Sequence, residues 1–345
     1  MNPTAMAARP SSSRTKHSEL VLLSGPALRR IMEPRQSIEA LREAYRALAD
    51  HRDDRGQSLA FPIGDGSIHV KAGLLPGSRE AFAAKVNVNI PGNEARHGRP
   101  TIQGVVILAD ARDGQPLAVM ESMALTAIRT AAATALAATF GARPGATRAA
   151  IIGCGVQAGY QLEALAACFP LREVRVFDID AAKAAAFART ASTGTLSCRS
   201  VATVVEAVEG AEICVTCTTS KAPVLTGPMA LDGCFVAAVG ADNPEKHEVD
   251  PALMRRARIL VDDLDACASG GDLAHALRSG LVSRTDVHAD LADLAAGRKS
   301  GRETDSELVI FDSTGSGVQD VALAWAAYRA SLAAAVGDRF ALNRA

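Results

Sequence analysis

Residues 148–158 read Arg-Ala-Ala-Ile-Ile-Gly-Cys-Gly-Val-Gln-Ala. The apolar run that ends at Ile152 is long enough for one short strand, and Gln157 to Cys168 is patterned as a helix. Between them Gly153, Gly155 and Ala158 stand in a GxGxxA spacing. In such a turn the first glycine bends the chain and the second lets a pyrophosphate approach the backbone. The small third residue lets the helix lie close to the strand. The helix N-terminus then offers free N–H groups and the positive end of its dipole to phosphate. The next strand, VRVF, ends at Asp178, 25 positions after Gly153. A carboxylate there binds the adenosine ribose hydroxyls and repels a 2′-phosphate. The stretch therefore predicts a dinucleotide site that favours NAD over NADP.

The same rhythm continues downstream. AAKAAAFART and VVEAVEG pattern as helices, while EICVTCT, CFVAAVG, RILVDD and ELVIFDS pattern as strands. Strands alternating with short helices predict a doubly wound parallel sheet of Rossmann type over residues 146–316. Upstream the texture differs. Residues 25–50 read as two helical pieces broken at Pro34, with Ser37 as the expected cap of the second. Residues 56–117 hold β-like pieces punctuated by Gly, Pro and Asn, and Met123 to Phe140 is an alanine-rich helix. Another alanine-rich helix, from Val321 to Val336, lies outside the alternation. It predicts a discontinuous α+β domain of residues 18–145 and 317–345. Residues 1–17, basic and without an acid, are expected to be a disordered tail.

Composition narrows the classes. Lys plus Arg (37) and Asp plus Glu (38) nearly cancel, without the basic surplus of a nucleic-acid-binding protein. No uninterrupted apolar run approaches a membrane span. The seven cysteines are irregularly spaced and predict a reducing cytoplasm. Cys214 and Cys217 form a CxxC, but on a strand residues three apart face opposite sides, so neither a disulfide nor a metal site is expected.

Several charges stand alone among small or apolar residues. Arg129 is the only charged residue between Glu121 and Arg143. Burying it requires an anion, either a ligand carboxylate or phosphate or an internal partner. Lys85 is the single charge in AFAAKVNVNIPGN, and on a strand it shares a face with Asn87 and Asn89. With Lys71 these groups form an anion pocket, unless each lysine is a solvated edge charge. Asp242, Lys246 and Glu248 directly follow the strand CFVAAVG, where open α/β sheets bind ligands.

The stretches KVNVN, GRPTIQGVVILADARDGQPLAVMES, LTAIRTAAATALAA, IIGCGVQA, VFDID, VGADNPEKHEVDP and FDSTGSGVQD together resemble the ornithine cyclodeaminase/mu-crystallin family. The resemblance spans roughly residues 55–325. It implies a homodimer whose first domain binds substrate and dimerises, completed by the C-terminal helix, and a second domain that binds NAD(P). It implies an enzyme that oxidises or reduces the C–N bond of a small α-amino or cyclic imino acid. Hydride transfer occurs at Cα, with ammonia release in the cyclodeaminases. Alternatives within the family are ketimine reductases, an alanine dehydrogenase type, and mu-crystallin-like binders of NAD(P) and a small ligand. By motif, Lys85, Arg129 and Arg55 match carboxylate-holding positions and Asp242 the catalytic aspartate, with Lys85 also assigned to the catalytic set. Thr101, Arg129, Gly153, Gly155, Val156, Gln157, Asp178, Thr218, Val239, Gly240, Lys246 and Ser313 match cofactor-contacting positions.

One departure stands out. Where ornithine enzymes carry a glutamate that holds the distal amine, this chain reads His69-Val70-Lys71-Ala72. Lys71 would add a second cation at the carboxylate or accept a substrate with a second acid group.

Overall fold

The computed structural model describes residues 19–229 and 231–342, so the expected N-terminal tail lies outside the described residues. Two sheets organise the chain. The first contains β1 (Leu20–Leu23), β2 (Gln57–Ile63), β3 (Gly66–Leu74), β4 (Ala81–Asn89), β5 (Ile102–Asp110) and β6 (Pro116–Glu121). The second contains β7 (Arg148–Ile152), β8 (Glu173–Phe177), β9 (Ser197–Ser200), β10 (Ile213–Thr216), β11 (Phe235–Ala238), β12 (Arg258–Val261), β13 (Val287–Asp290) and β14 (Val309–Asp312). The last strand, β15 (Asp338–Phe340), returns to the first sheet.

The second sheet is parallel throughout, in the order β13-β12-β14-β11-β10-β7-β8-β9. Both faces are buried, as a parallel sheet flanked by helices requires. Alternation places Ile151, Ala237 and Phe311 in one core and Ile152, Val236 and Ile310 in the other. The chain runs outward from β7 to β9 and then resumes at β10 on the other side of β7. This reversal makes a crevice at the carboxyl ends of β7 and β10.

The first sheet runs β15-β1-β6-β5-β4-β3-β2. It is antiparallel except where β1 runs parallel to β6. One face packs inward through Ala81, Ala83, Val106, Leu108, Ala118 and Met120, which are all buried. The opposite face is apolar yet exposed, with Leu59, Phe61, Phe82, Val105 and Ile107 open to solvent.

Two helices join the sheets. Ser122–Gly141 is buried on nearly every side. Among the described residues it is the one helix long and apolar enough to cross a membrane, and 78% of that stretch is buried inside the protein. Its C-terminal Gly141 lies so close to Phe235 and Val309 that a Cβ there would clash. The helix Gly317–Ala334 leaves β14 and packs on β3 and β4. There the backbones of Gly317 and Ala72 touch, leaving no room for a side chain at Gly317.

Local details correct the sequence reading. The cap of Pro34–Asp50 is Glu33, not Ser37, because Pro34 occupies the first helical turn and sets the start. Ser37 lies inside the helix and donates its hydroxyl to the Glu33 carbonyl. Strands β1, β13 and β15, of three or four residues each, carry too little periodicity to stand out.

Candidate active site

Gly153 closes β7 with φ +96, a left-handed conformation that favours glycine. A Cβ there would lie 3.0 Å from Cys217 O and Thr218 Cγ2. The helix Val156–Cys168 begins after Gly155 with no side chain capping its first turn, which leaves its N–H groups free for an anion. A cleft of about 420 Å³ opens beside this turn, lined by Gly153, Gly155, Asp178, Lys183, Thr218 and Thr219 among others. Asp178 accepts from Cys154 N at 2.7 Å and Asp180 N at 2.9 Å, so its carboxylate is fixed at the strand tip with acceptor capacity left over. A glycine turn that tolerates no side chain, an uncapped helix and a tethered carboxylate at a cleft together fit a dinucleotide.

Thr218 and Gly240 reach the same crevice from β10 and β11. Both are tied to the buried carboxylate of Glu248, which accepts from Thr218 N (2.6 Å), Thr218 Oγ1 (2.7 Å), Gly240 N (2.7 Å) and Thr216 Oγ1 (2.9 Å). Glu248, read from sequence as a charge beyond the strand tip, is thus a brace for two loops rather than an exposed group. Val156 is 75% exposed at the mouth of the helix, and Gln157 accepts from Gln161. Ser313, at the end of β14, donates to Asp262 at 2.8 Å. Thr101 lies apart, exposed ahead of β5 and absent from the cleft lining, with its carbonyl accepting from Ile90 N.

The cations come from the first sheet and the central helix. Lys71 and Lys85 are cross-strand partners on β3 and β4, with His69 opposite Asn87 next to them. Like charges paired directly across strands repel, so each lysine has its own acceptors. Lys71 Nζ donates to the carbonyls of Thr314 (2.9 Å) and Gly315 (2.8 Å). Lys85 Nζ sits 2.9 Å from Asp320 Oδ1 and 2.8 Å from Oδ2, with Thr126 Oγ1 at 3.5 Å. Arg129 is 7% exposed and donates from Nη1 to Gln319 Oε1 at 2.9 Å. Its Nε, 3.6 Å from Asp320 Oδ1, makes no hydrogen bond. Arg129 also lies flat against Gly315, where a Cβ would fall 2.1 Å from Nη1.

Burial pushes the Lys85 ammonium down and Asp320 pulls it back, leaving it at about 8. Burial and then Arg129 lower Lys71. Burial lowers His69 too; Asp242 opposes this while Lys71, Lys246 and Lys85 reinforce it. These mutual effects bring His69, Lys71, Lys85, Asp242 and Lys246 into one electrostatic neighbourhood. Asp242, just past β11, is paired with Lys246 at 2.7 Å. Burial raises its carboxyl, but Lys246, Lys71 and His69 outweigh this and hold it below the usual carboxylate range. Asp242 is therefore ionised at neutral pH. Arg55 lines a second cavity of about 320 Å³ with Lys71 and Gly315, and pairs there with Asp265 at 2.7 Å.

Sequence reading missed Asp320, Gln319 and Asp262. Asp262 is buried and accepts from Ser313 Oγ, Gly315 N (2.7 Å) and Gln319 Nε2 (3.0 Å). The signal for the first two was present: Gln319-Asp320 is a polar pair opening the apolar helix VALAWAA, the same isolation that singles out Arg129. The seven cysteines are all free; Cys214 is in β10, while Cys217 lies beyond it and donates to Gly153 O at 3.1 Å. Among the described residues, no three His, Cys, Asp or Glu side chains are grouped to hold a metal ion.

Known proteins share this architecture. Alanine dehydrogenase of Archaeoglobus fulgidus is 33% identical over 94% of this chain and 99% of its own. The structure of Thermococcus litoralis Δ1-pyrroline-2-carboxylate reductase, in complex with NADH and L-proline, superimposes with a TM-score of 0.86. It is 30% identical and the match covers 92% of this chain and 99% of that one. Iminosuccinate reductase of Paracoccus denitrificans, in complex with NAD+, gives a TM-score of 0.82 at 29% identity, covering 93% and 99%. The sequence profile of one family matches residues 32–334, and with it the chain belongs to the ornithine cyclodeaminase/mu-crystallin family.

Proposed function

We propose that the protein is an NAD(H)-dependent enzyme acting on the C–N bond of a small α-amino or cyclic imino acid. The observation that carries this reading is the placement of Lys71, Lys85 and Arg129 in one electrostatic neighbourhood with the Asp242–Lys246 pair, next to a dinucleotide turn. The bound dinucleotide would supply hydride exchange with the substrate Cα.

The chain's own residues supply orientation and charge. Lys85, Arg129 and Lys71 hold the substrate carboxylate, which fixes the position of Cα. Arg129 has a free Nε for this, and a guanidinium can grip a carboxylate with two parallel hydrogen bonds. Asp242, ionised and steadied by Lys246, faces the substrate nitrogen. It stabilises an iminium cation and accepts the proton that the amine releases. Arg55 completes the carboxylate set from the rim, once it exchanges Asp265 for the substrate. Gly153, Gly155, Val156, Gln157, Asp178, Thr218, Val239, Gly240, Lys246 and Ser313, with Arg129 beside them, form the cofactor wall. Thr101, exposed ahead of β5, would join this wall from the first domain. Asp178 favours NAD over NADP.

The substrate domain is read as residues 18–145 and 317–345, and the dinucleotide domain as 146–316. A second copy covers the exposed apolar face of the first sheet to make a homodimer, since so broad a patch is costly in water. Seven free cysteines support a cytoplasmic setting.

A second reading, that the reaction stops after one hydride transfer, is favoured by His69 and Lys71 at the place of the amine-holding glutamate. The His69 imidazole, its titration lowered by burial, gives a distal amine no counter-charge, and Lys71 two residues on repels that amine while it is protonated. A screen of amino and imino acids, with NADH absorbance and ammonia followed in parallel, tests both. Cyclodeamination releases ammonia without net NADH. Dehydrogenation yields both, and imine reduction consumes NADH alone. Turnover of no amino or imino acid would leave the binder reading instead.

A further inference from the structure

Asp320 is 1% exposed on the first turn of Gly317–Ala334 and lines neither cavity at the site. Among the described residues it is the one carboxylate within 4 Å of the Lys85 ammonium or the Arg129 guanidinium. The other groups around Lys85 oppose its charge or leave it unaided. Lys71 faces it from β3, with His69 two residues away, and Arg129 approaches from Ser122–Gly141. Across β5 its partner is Val106, and Thr126 offers only a hydroxyl at 3.5 Å. A lysine this deeply buried loses its proton unless an anion compensates. Among the described residues only Asp320 is placed to do so.

We propose that Asp320 is a positioning residue of this site: it keeps Lys85 charged and fixes its Nζ, so that an incoming carboxylate meets a cation already in place. The assignment rests on reading Lys85 as a carboxylate-holding group. The residue before Asp320 on the same helical turn, Gln319, orients Arg129 and is itself anchored to Tyr45 and Asp262. One turn of helix therefore sets both cations. The sign of the pH effect follows. Carboxylate binding needs protonated Lys85, is complete below the lysine's titration and is lost above it. Neutralising Asp320 moves that loss to lower pH.

The test uses the full chain saturated with NADH, titrated with pyrrole-2-carboxylate, a planar monocarboxylate, from pH 6 to 9 and followed by nicotinamide fluorescence. The parent should bind evenly at low pH and weaken by about tenfold per unit once Lys85 titrates, near 8. In Asp320→Asn the break should fall by a unit or more. Affinity at pH 8 then drops at least about fivefold, while at pH 6 it stays within about threefold of the parent. Asp320→Glu should restore most of the parental break, and Lys85→Arg combined with Asp320→Asn should abolish it, because arginine does not titrate here. If Asp320→Asn does not fold, Asp320→Ser, which leaves room for water, carries the same expectation. An unchanged break, or an equal loss at every pH, overturns the assignment and leaves Asp320 a structural residue. A parent that binds the carboxylate no better than its Lys85→Met variant overturns instead the reading of the site itself.

Discussion

Arg129 and Gln319, 190 residues apart in sequence, are joined by a 2.9 Å hydrogen bond that ties the buried helix Ser122–Gly141 to the returning helix Gly317–Ala334. The bond occupies one guanidinium nitrogen and leaves Nε unpartnered. The arginine is thus held in place by one edge, with donor capacity left for an anion.

Arg129→Ala should leave a folded protein that has lost most of its substrate turnover. A hydrogen bond to a charged group contributes about 1.5–3 kcal/mol, so kcat/KM should fall by roughly 10- to 150-fold for each bond lost. Arg129→Lys should rescue poorly, since an ammonium cannot bond Gln319 and grip a carboxylate in the guanidinium's planar geometry. Steady-state kinetics and thermal melting separate this outcome from misfolding. Normal turnover by Arg129→Ala would remove the arginine from the site.

Asp242→Asn preserves shape but can neither accept a proton nor balance the Lys246 ammonium. NADH affinity should be unchanged by fluorescence titration, while turnover falls by roughly two orders of magnitude or more. Because Asp242 is held below the usual carboxylate range, activity limited by this group should persist to pH values below an ordinary aspartate's titration. An acid limb above pH 5 would assign control to another residue.

The tethered carboxylate of Asp178 should make NADH bind more tightly than NADPH. Asp178→Ser should relax that preference by removing the repulsion of a 2′-phosphate, with Lys183 lining the same cleft as a nearby cation. Fluorescence titration with both cofactors measures the ratio. Tighter NADPH binding by the parent would overturn the reading of Asp178.

The apolar face of the first sheet should be covered by a second copy. Leu59 is 60% exposed and Phe61 41% on the edge strand β2. Introducing Leu59→Asp with Phe61→Asp should shift the protein in sedimentation velocity toward the 35.8 kDa single chain. Unchanged sedimentation would place the oligomer contact elsewhere.

The dinucleotide turn was legible in the chain because it is local. Gly153, Gly155, Ala158 and Asp178 lie within 26 residues, and their spacing alone implies strand, turn, helix and strand tip. The anomalous solitude of Lys85 and Arg129 was equally readable, since a charge among small residues is conspicuous wherever the chain goes, and Asp242 stood out by its place directly after a strand. What satisfies those charges was not readable. Lys85 is neutralised from 235 residues downstream by Asp320, and Lys71 is held by carbonyls of Thr314 and Gly315. Glu248, which reads as a strand-tip acid, becomes a brace for Thr218 and Gly240. Periodicity records which face of an element is apolar, but not which other element covers it. The counter-ions were therefore decided by the return of the last helix onto β3 and β4, a packing choice that no local window of sequence contains.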